Sequence, residues 1–134
     1  MSESKCEVCK HTPDAADALL SEEEIASRLQ DLVLWERVEG SVSLISRSFV
    51  AKTFQHAMNF ITEVGHIAER EGHHPDLHLT SYRNVQVTLY SHGAGGLTDV
   101  DFDLARKIDQ EISVVYSPKW LKENPQAEFT AHRL

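Results

Sequence analysis

The stretch Lys52-Thr-Phe-Gln-His-Ala-Met-Asn-Phe-Ile-Thr-Glu-Val-Gly-His-Ile-Ala-Glu-Arg-Glu-Gly-His73-His74-Pro75 decides the fold of this chain. Its apolar residues Phe54, Ala57, Met58, Ile61, Val64 and Ala68 recur mostly at spacings of three and four, which predicts a helix over 52–71. Pro75 ends it: the ring disfavours helical geometry at His74 and lacks a donor, so His73 and His74 are held at a helix exit. Downstream, Val85, Val87 and Leu89 alternate with Gln86, Thr88 and Tyr90, the pattern of a half-buried strand, and a shorter strand precedes it around Leu77 to Thr80. Upstream, the β-prone runs 33–38 and 41–50, separated by Glu39-Gly40, read as a hairpin. Its second strand departs from clean alternation at Leu44-Ile45, which marks either a bulge or a different register. Ser21 with Glu22, Glu23 and Glu24 reads as the capped start of a helix near 21–31, and Thr98-Asp-Val-Asp101 opens another through Phe102, Leu104, Ala105, Ile108 and Ile112.

The order helix, two strands, helix, two strands, helix predicts a single α+β domain with a four-stranded antiparallel sheet covered by helices. The boundaries expected are a mobile N-terminal tail at 1–20, the folded domain at 21–112 and a C-terminal extension at 113–134, where no element is predicted. With 134 residues the chain has room for one modest core, and a net charge of −8 argues against a nucleic-acid surface, which needs a concentrated positive field. No apolar run approaches membrane-spanning length and the polar start Met1-Ser-Glu-Ser-Lys lacks a signal segment, so no membrane contact and a cytoplasmic address are expected. Cys6 and Cys9, in Cys6-Glu-Val-Cys9-Lys-His11, form a CxxC that could be a redox pair or half a zinc site. The βαβ context of the first and the four ligands of the second are both missing.

The chemistry-bearing cluster is His73 and His74 with His92 and Asp101. Taken singly each has a plain explanation: imidazoles at a helix C-terminus offset the dipole by about 0.3–1 kcal/mol, and Asp101 is the third residue of a helix, reciprocating the Thr98 cap. Together, a helix exit, a strand end and a helix start can converge at one end of a small sheet. A carboxylate, from Glu69 one turn earlier or from Asp101, would fix an imidazole tautomer, and this points to proton transfer. Three histidines and a water could also hold zinc, although adjacent histidines usually point apart. No nucleophile elbow, phosphate loop, dinucleotide fingerprint or HExxH competes, and Gly93-Ala-Gly95-Gly96 lacks the Lys-Ser/Thr of a phosphate cradle.

Glu69-Arg-Glu-Gly-His73-His74-Pro75-Asp76, Tyr82, Val85-Gln-Val87-Thr-Leu89-Tyr-Ser91-His92 and Gly96-Leu97-Thr98-Asp-Val-Asp101-Phe-Asp-Leu104-Ala105-Arg-Lys-Ile108-Asp109 together resemble the pterin-4a-carbinolamine dehydratase family. Trp35, Arg47, Phe49, Phe54, Ala57 and Phe60 also fit, so the resemblance covers about Ser21 to Ile112. Gly93-Ala94 differs from the animal members and looks bacterial in type. The resemblance implies removal of water from 4a-hydroxytetrahydropterin to give quinonoid dihydropterin, with no cofactor and no metal. It also implies His73 and His92 as the acid-base pair and His74 as the residue that grips the pterin. Glu69 and Asp101 would support them, with Trp35, Gly72, Ser91 and Gly93 touching substrate. A homodimer or homotetramer and a link to an aromatic amino acid hydroxylase are further implications. The alternatives are a protein interaction module, since animal members also serve as dimerisation cofactors, and pterin handling near molybdopterin metabolism.

Overall fold

The computed structural model describes residues 19–132, and side chains as far as Glu128. Cys6, Cys9 and the expected tail up to residue 18 lie outside the described residues. The elements are α1 (Glu22–Leu29), β1 (Trp35–Val38), β2 (Leu44–Val50), α2 (Phe54–Glu71), β3 (Asp76–Thr80), β4 (Asn84–Leu89), α3 (Asp99–Glu111), α4 (Pro118–Glu123) and α5 (Pro125–His132). The strands form one antiparallel sheet in the order β1-β2-β4-β3. The α+β reading and the four-stranded sheet therefore hold, as does the element order through α3; α4 and α5 follow where no element was expected.

Register explains the apparent break in β2. Pairing is continuous from Trp35↔Arg47 to Val38↔Leu44 on one side and from Ile45↔Leu89 to Val50↔Asn84 on the other, without a bulge. Ile45, Arg47 and Phe49 face the helices, while Leu44 pairs with Val38 on the opposite face. The irregular pattern comes from Leu44, an apolar residue on the outer face beside Val38, and from Arg47, a charged residue at a core-facing position. The inner face joins Trp35, Ile45, Phe49, Val85, Val87 and Leu89 to Ala57, Phe60 and Val64 of α2 and Phe102, Ala105 and Ile108 of α3 in one core. Ser48, Gln86 and His78 of the outer face are exposed.

Arg47 is tolerated because both of its terminal nitrogens find acceptors. Its Nη1 donates to Asp109 Oδ1 at 2.7 Å and its Nη2 to the Tyr116 hydroxyl at 2.7 Å, while the Trp35 indole N–H donates to both Asp109 oxygens at 3.1 and 3.2 Å. Tyr116 belongs to a segment after α3 that the sequence pattern left unassigned. It is bridged to Ala51, with Lys52 N–H donating to Val115 O at 3.0 Å and Ser117 N–H to Val50 O at 2.8 Å, and its ring stacks on Trp120. The residues just beyond α3 thus extend the core, with Ile112 and Tyr116 both buried. Burial pushes the Asp109 carboxyl above its ordinary 3.8, while Arg47 and the Trp35 N–H pull it back.

Tyr116→Phe removes one buried hydrogen bond and leaves an Arg47 N–H unpaired, an expected loss of about 1–2 kcal/mol in urea unfolding. Arg47→Met strands the Asp109 charge and is expected to cost about 3–5 kcal/mol. A carboxyl whose pKa is raised on folding stabilises the protein at low pH and loses that effect as pH rises through the folded value. The Arg47→Met deficit should therefore widen from acid toward neutral pH; a deficit independent of pH would place the loss elsewhere.

Candidate active site

The site begins at the end of α2. Gly72 caps the helix in the left-handed region (φ 72°, ψ 26°), a conformation that costs a glycine nothing, and its N–H donates to Ala68 O at 2.8 Å. The chain turns sharply there and sends His73 inward and His74 outward. His73 is 7% exposed, and its Nε2 lies 2.6 Å from Asp101 Oδ1, as donor to the carboxylate. His74 is exposed, and its Nε2 lies 2.5 Å from Glu69 Oε2, one turn back on α2.

Asp101 is the hub. It is completely buried, and its Oδ2 accepts from the Ser91 hydroxyl and from the Thr98 backbone N–H, both at 2.9 Å. Thr98 Oγ1 and Ser91 Oγ lie 2.8 Å apart, and Thr98 in turn caps α3, so the capping box read in Thr98 and Asp101 is present and carries two extra partners. Ser91 is fixed further by a bridge to Gly96, its N–H donating to Gly96 O at 2.8 Å, which closes the loop 92–95. This loop follows β4, whose Thr88 pairs with Asp76 at the start of β3, just after His74-Pro75.

One buried carboxylate therefore joins the three segments that the sequence singled out. It contacts His73 and Ser91 directly, and their chain neighbours His74 and His92 stand at the same end of the sheet. His92 and Gly93 are exposed, Gly72 is half-buried, and the His92 ring stacks on Tyr90. Trp35 is placed differently. It is buried in the core with its N–H on Asp109, eight residues and about 12 Å along α3 from Asp101. Tyr82 lies at the β3–β4 turn, the other end of those strands, with positive φ of 52°. The network of Arg47, Asp109 and Tyr116 escaped the sequence reading, because Arg47 and Asp109 are 62 residues apart and no local spacing connects them.

The imidazole whose Nε2–H is held by a buried carboxylate keeps Nδ1 for proton exchange, the arrangement of an oriented general base. No group of three or more His, Cys, Asp or Glu spaced to hold a metal ion occurs among the described residues. Nor is any helix among them long and apolar enough to cross a membrane.

The family model described as pterin 4 alpha carbinolamine dehydratase matches residues 18–111. The chain belongs to this family of hydro-lyases. It is 49% identical over 92 residues to a putative pterin-4-alpha-carbinolamine dehydratase of Nocardia farcinica, covering 69% of this chain and 93% of that one. It is 37% identical over 111 residues to the mitochondrial pterin-4-alpha-carbinolamine dehydratase 2 of Arabidopsis thaliana, covering 82% of this chain and 58% of the plant protein. The crystal structure of a transcriptional coactivator/pterin dehydratase from Brucella melitensis superposes with a TM-score of 0.62 at 37% identity, over 67% of this chain and 94% of that one. The matched span ends at the C-terminus of α3, so Tyr116 and Trp120 lie beyond it.

Asp101→Ala leaves the His73 N–H, the Ser91 hydroxyl and the Thr98 N–H without their acceptor, and should lower stability by about 2–4 kcal/mol in urea unfolding. Ser91→Ala removes one donor and should cost about 1 kcal/mol. Equal, negligible effects of the two changes would show that Asp101 does not organise the site.

Proposed function

We propose that this protein dehydrates a 4a-hydroxytetrahydropterin, the carbinolamine left when a tetrahydropterin-dependent aromatic hydroxylase has transferred oxygen, and so returns the pterin as its quinonoid dihydro form. The observation that supports this reading is the buried contact of Asp101 with both His73 and Ser91, whose chain neighbours are His74 and His92. The family membership supplies the substrate class.

The elimination has simple requirements. The C4a–OH bond breaks as an acid donates a proton to the departing hydroxyl, a base takes the proton from N5, and the N5–H electron pair becomes the C4a=N5 double bond. His73, oriented by Asp101 through Nε2, serves as the base through Nδ1. His92, exposed on the loop after β4, faces the leaving hydroxyl as acid. His74, braced by Glu69, orients the pterin ring, and the backbone of Gly72 and Gly93 with Ser91 borders it. Trp35 acts at a distance, holding Asp109 and thereby the position of α3. The proton taken from N5 offsets the one given to the hydroxyl, so the reaction as drawn releases one water and changes nothing else.

A second role in association is favoured by Phe54 and Met58, which are 50% and 38% exposed one turn apart on α2. With the edges of β1 and β3, which no strand among the described residues pairs, they offer surfaces for a homodimer or homotetramer. Cytoplasmic operation beside a hydroxylase completes the reading.

The test is dehydration of 4a-hydroxytetrahydropterin, made in situ by an aromatic amino acid hydroxylase and followed by ultraviolet absorbance with and without a chelator. We expect acceleration that survives chelation, loss of turnover by about 10²-fold or more in His74→Ala with the fold intact, and smaller losses in His73→Ala and His92→Ala. A protein that adds nothing to the spontaneous rate would contradict the dehydratase reading and leave association as its role.

A further inference from the structure

A catalytic imidazole must be held, and two of the three in this site are held by carboxylates: His73 by Asp101 and His74 by Glu69. Among the described residues the His92 ring makes no side-chain hydrogen bond. It lies instead on the ring of Tyr90, centroids 4.2 Å apart and planes inclined by 27°. Strand alternation produces this pair. Residues 84, 86, 88 and 90 leave the backbone on the outer face of the sheet, and continuing that rhythm puts His92 on the same side as Tyr90. The register of β2 and β4 sets Leu44 across from position 90, with Val38 beyond it, while the rest of this face toward the middle of the sheet is small or polar, Ser46, Ser48, Gln86 and Thr88. The pairing of Thr88 with Asp76 also brings Tyr90 level with the residues just before β3, where His74 stands. Tyr90 is half-buried and His92 exposed, so the phenol is backed by protein while the imidazole lies over it toward solvent.

We infer that Tyr90 is a positioning residue of the site: its ring is the platform that fixes the plane of the His92 imidazole. Stacking engages the face of the imidazole and leaves both ring nitrogens free at its edge, where a proton can pass to substrate. A carboxylate partner would have occupied one of them. This inference rests on His92 being a member of the acid-base set.

The experiment compares Tyr90→Leu, which removes the flat face, with Tyr90→Phe, which keeps it and drops the hydroxyl. Steady-state dehydration and the His92 ring-proton resonances are both measured. Tyr90→Leu should lower kcat by about tenfold with a smaller change in KM, while Tyr90→Phe stays within about twofold of the parent. The His92 resonances, displaced by the phenol ring current, should move in Tyr90→Leu and stay in Tyr90→Phe. In a His92→Gln background, Tyr90→Leu should add no further loss, the signature of two residues acting as one unit. Undiminished kcat in Tyr90→Leu, or an equal loss with and without His92, would overturn the inference. His92→Gln at full rate would remove the parent reading and this one together, whereas an impaired His92→Gln beside a normal Tyr90→Leu would remove Tyr90 alone.

Discussion

Asp101 has no exposed surface, yet its two oxygens meet three donors drawn from different parts of the chain. A buried carboxylate is costly unless every lone pair finds a partner. Here the partners are the start of its own helix, the end of β4 and the exit of α2. Satisfying one charge therefore requires that all three segments arrive together. The same contact that completes the cap of α3 fixes the tautomer of His73 and anchors Ser91 beside His92, so folding and site assembly are one event.

A second buried carboxylate on the same helix secures the arrangement from the other end. Asp109, two turns after Asp101, takes the Trp35 N–H and the Arg47 guanidinium, which in turn reaches Tyr116. With both ends of α3 tied to the sheet through polar groups, the helix cannot slide or rotate without breaking a buried bond. Arg70 adds an outer tie, bonding Glu71 on its own helix and Glu111 at the end of α3, and Lys107 joins the same Glu71. These exposed ion pairs contribute little energy, but they link the last turn of α2, from which the histidines emerge, to α3.

The architecture was legible wherever local periodicity carried it. The helix over 52–71, the alternation after Asn84 and the Thr98 cap each follow from side chains within a few residues of one another. The meeting of His73 with Asp101 was legible because a helix exit and a capped helix start were both read from local signals and the family resemblance ties the two together. Three features were not. The β2 register was obscured by Arg47, whose inward position makes sense only beside Asp109. Tyr116 gave no signal, since residues 113–117 pair with the end of β2 as a single bridge rather than as a strand. Trp35 matched the family pattern, and the buried acceptor that its N–H finds on α3 has no signal in the residues around it. Each case is a contact between residues far apart in sequence, which periodicity does not encode.

The most direct test of this account is to bind a non-reactive oxidised pterin to the protein and map the contact by histidine ring NMR or by crystallography. The account predicts that the pterin settles at the end of the sheet beside His73, His74 and His92, perturbing all three imidazoles while His56, on the first turn of α2, and His78, on the outer sheet face, stay unchanged. A pterin seated elsewhere, with the three imidazoles undisturbed, would contradict it.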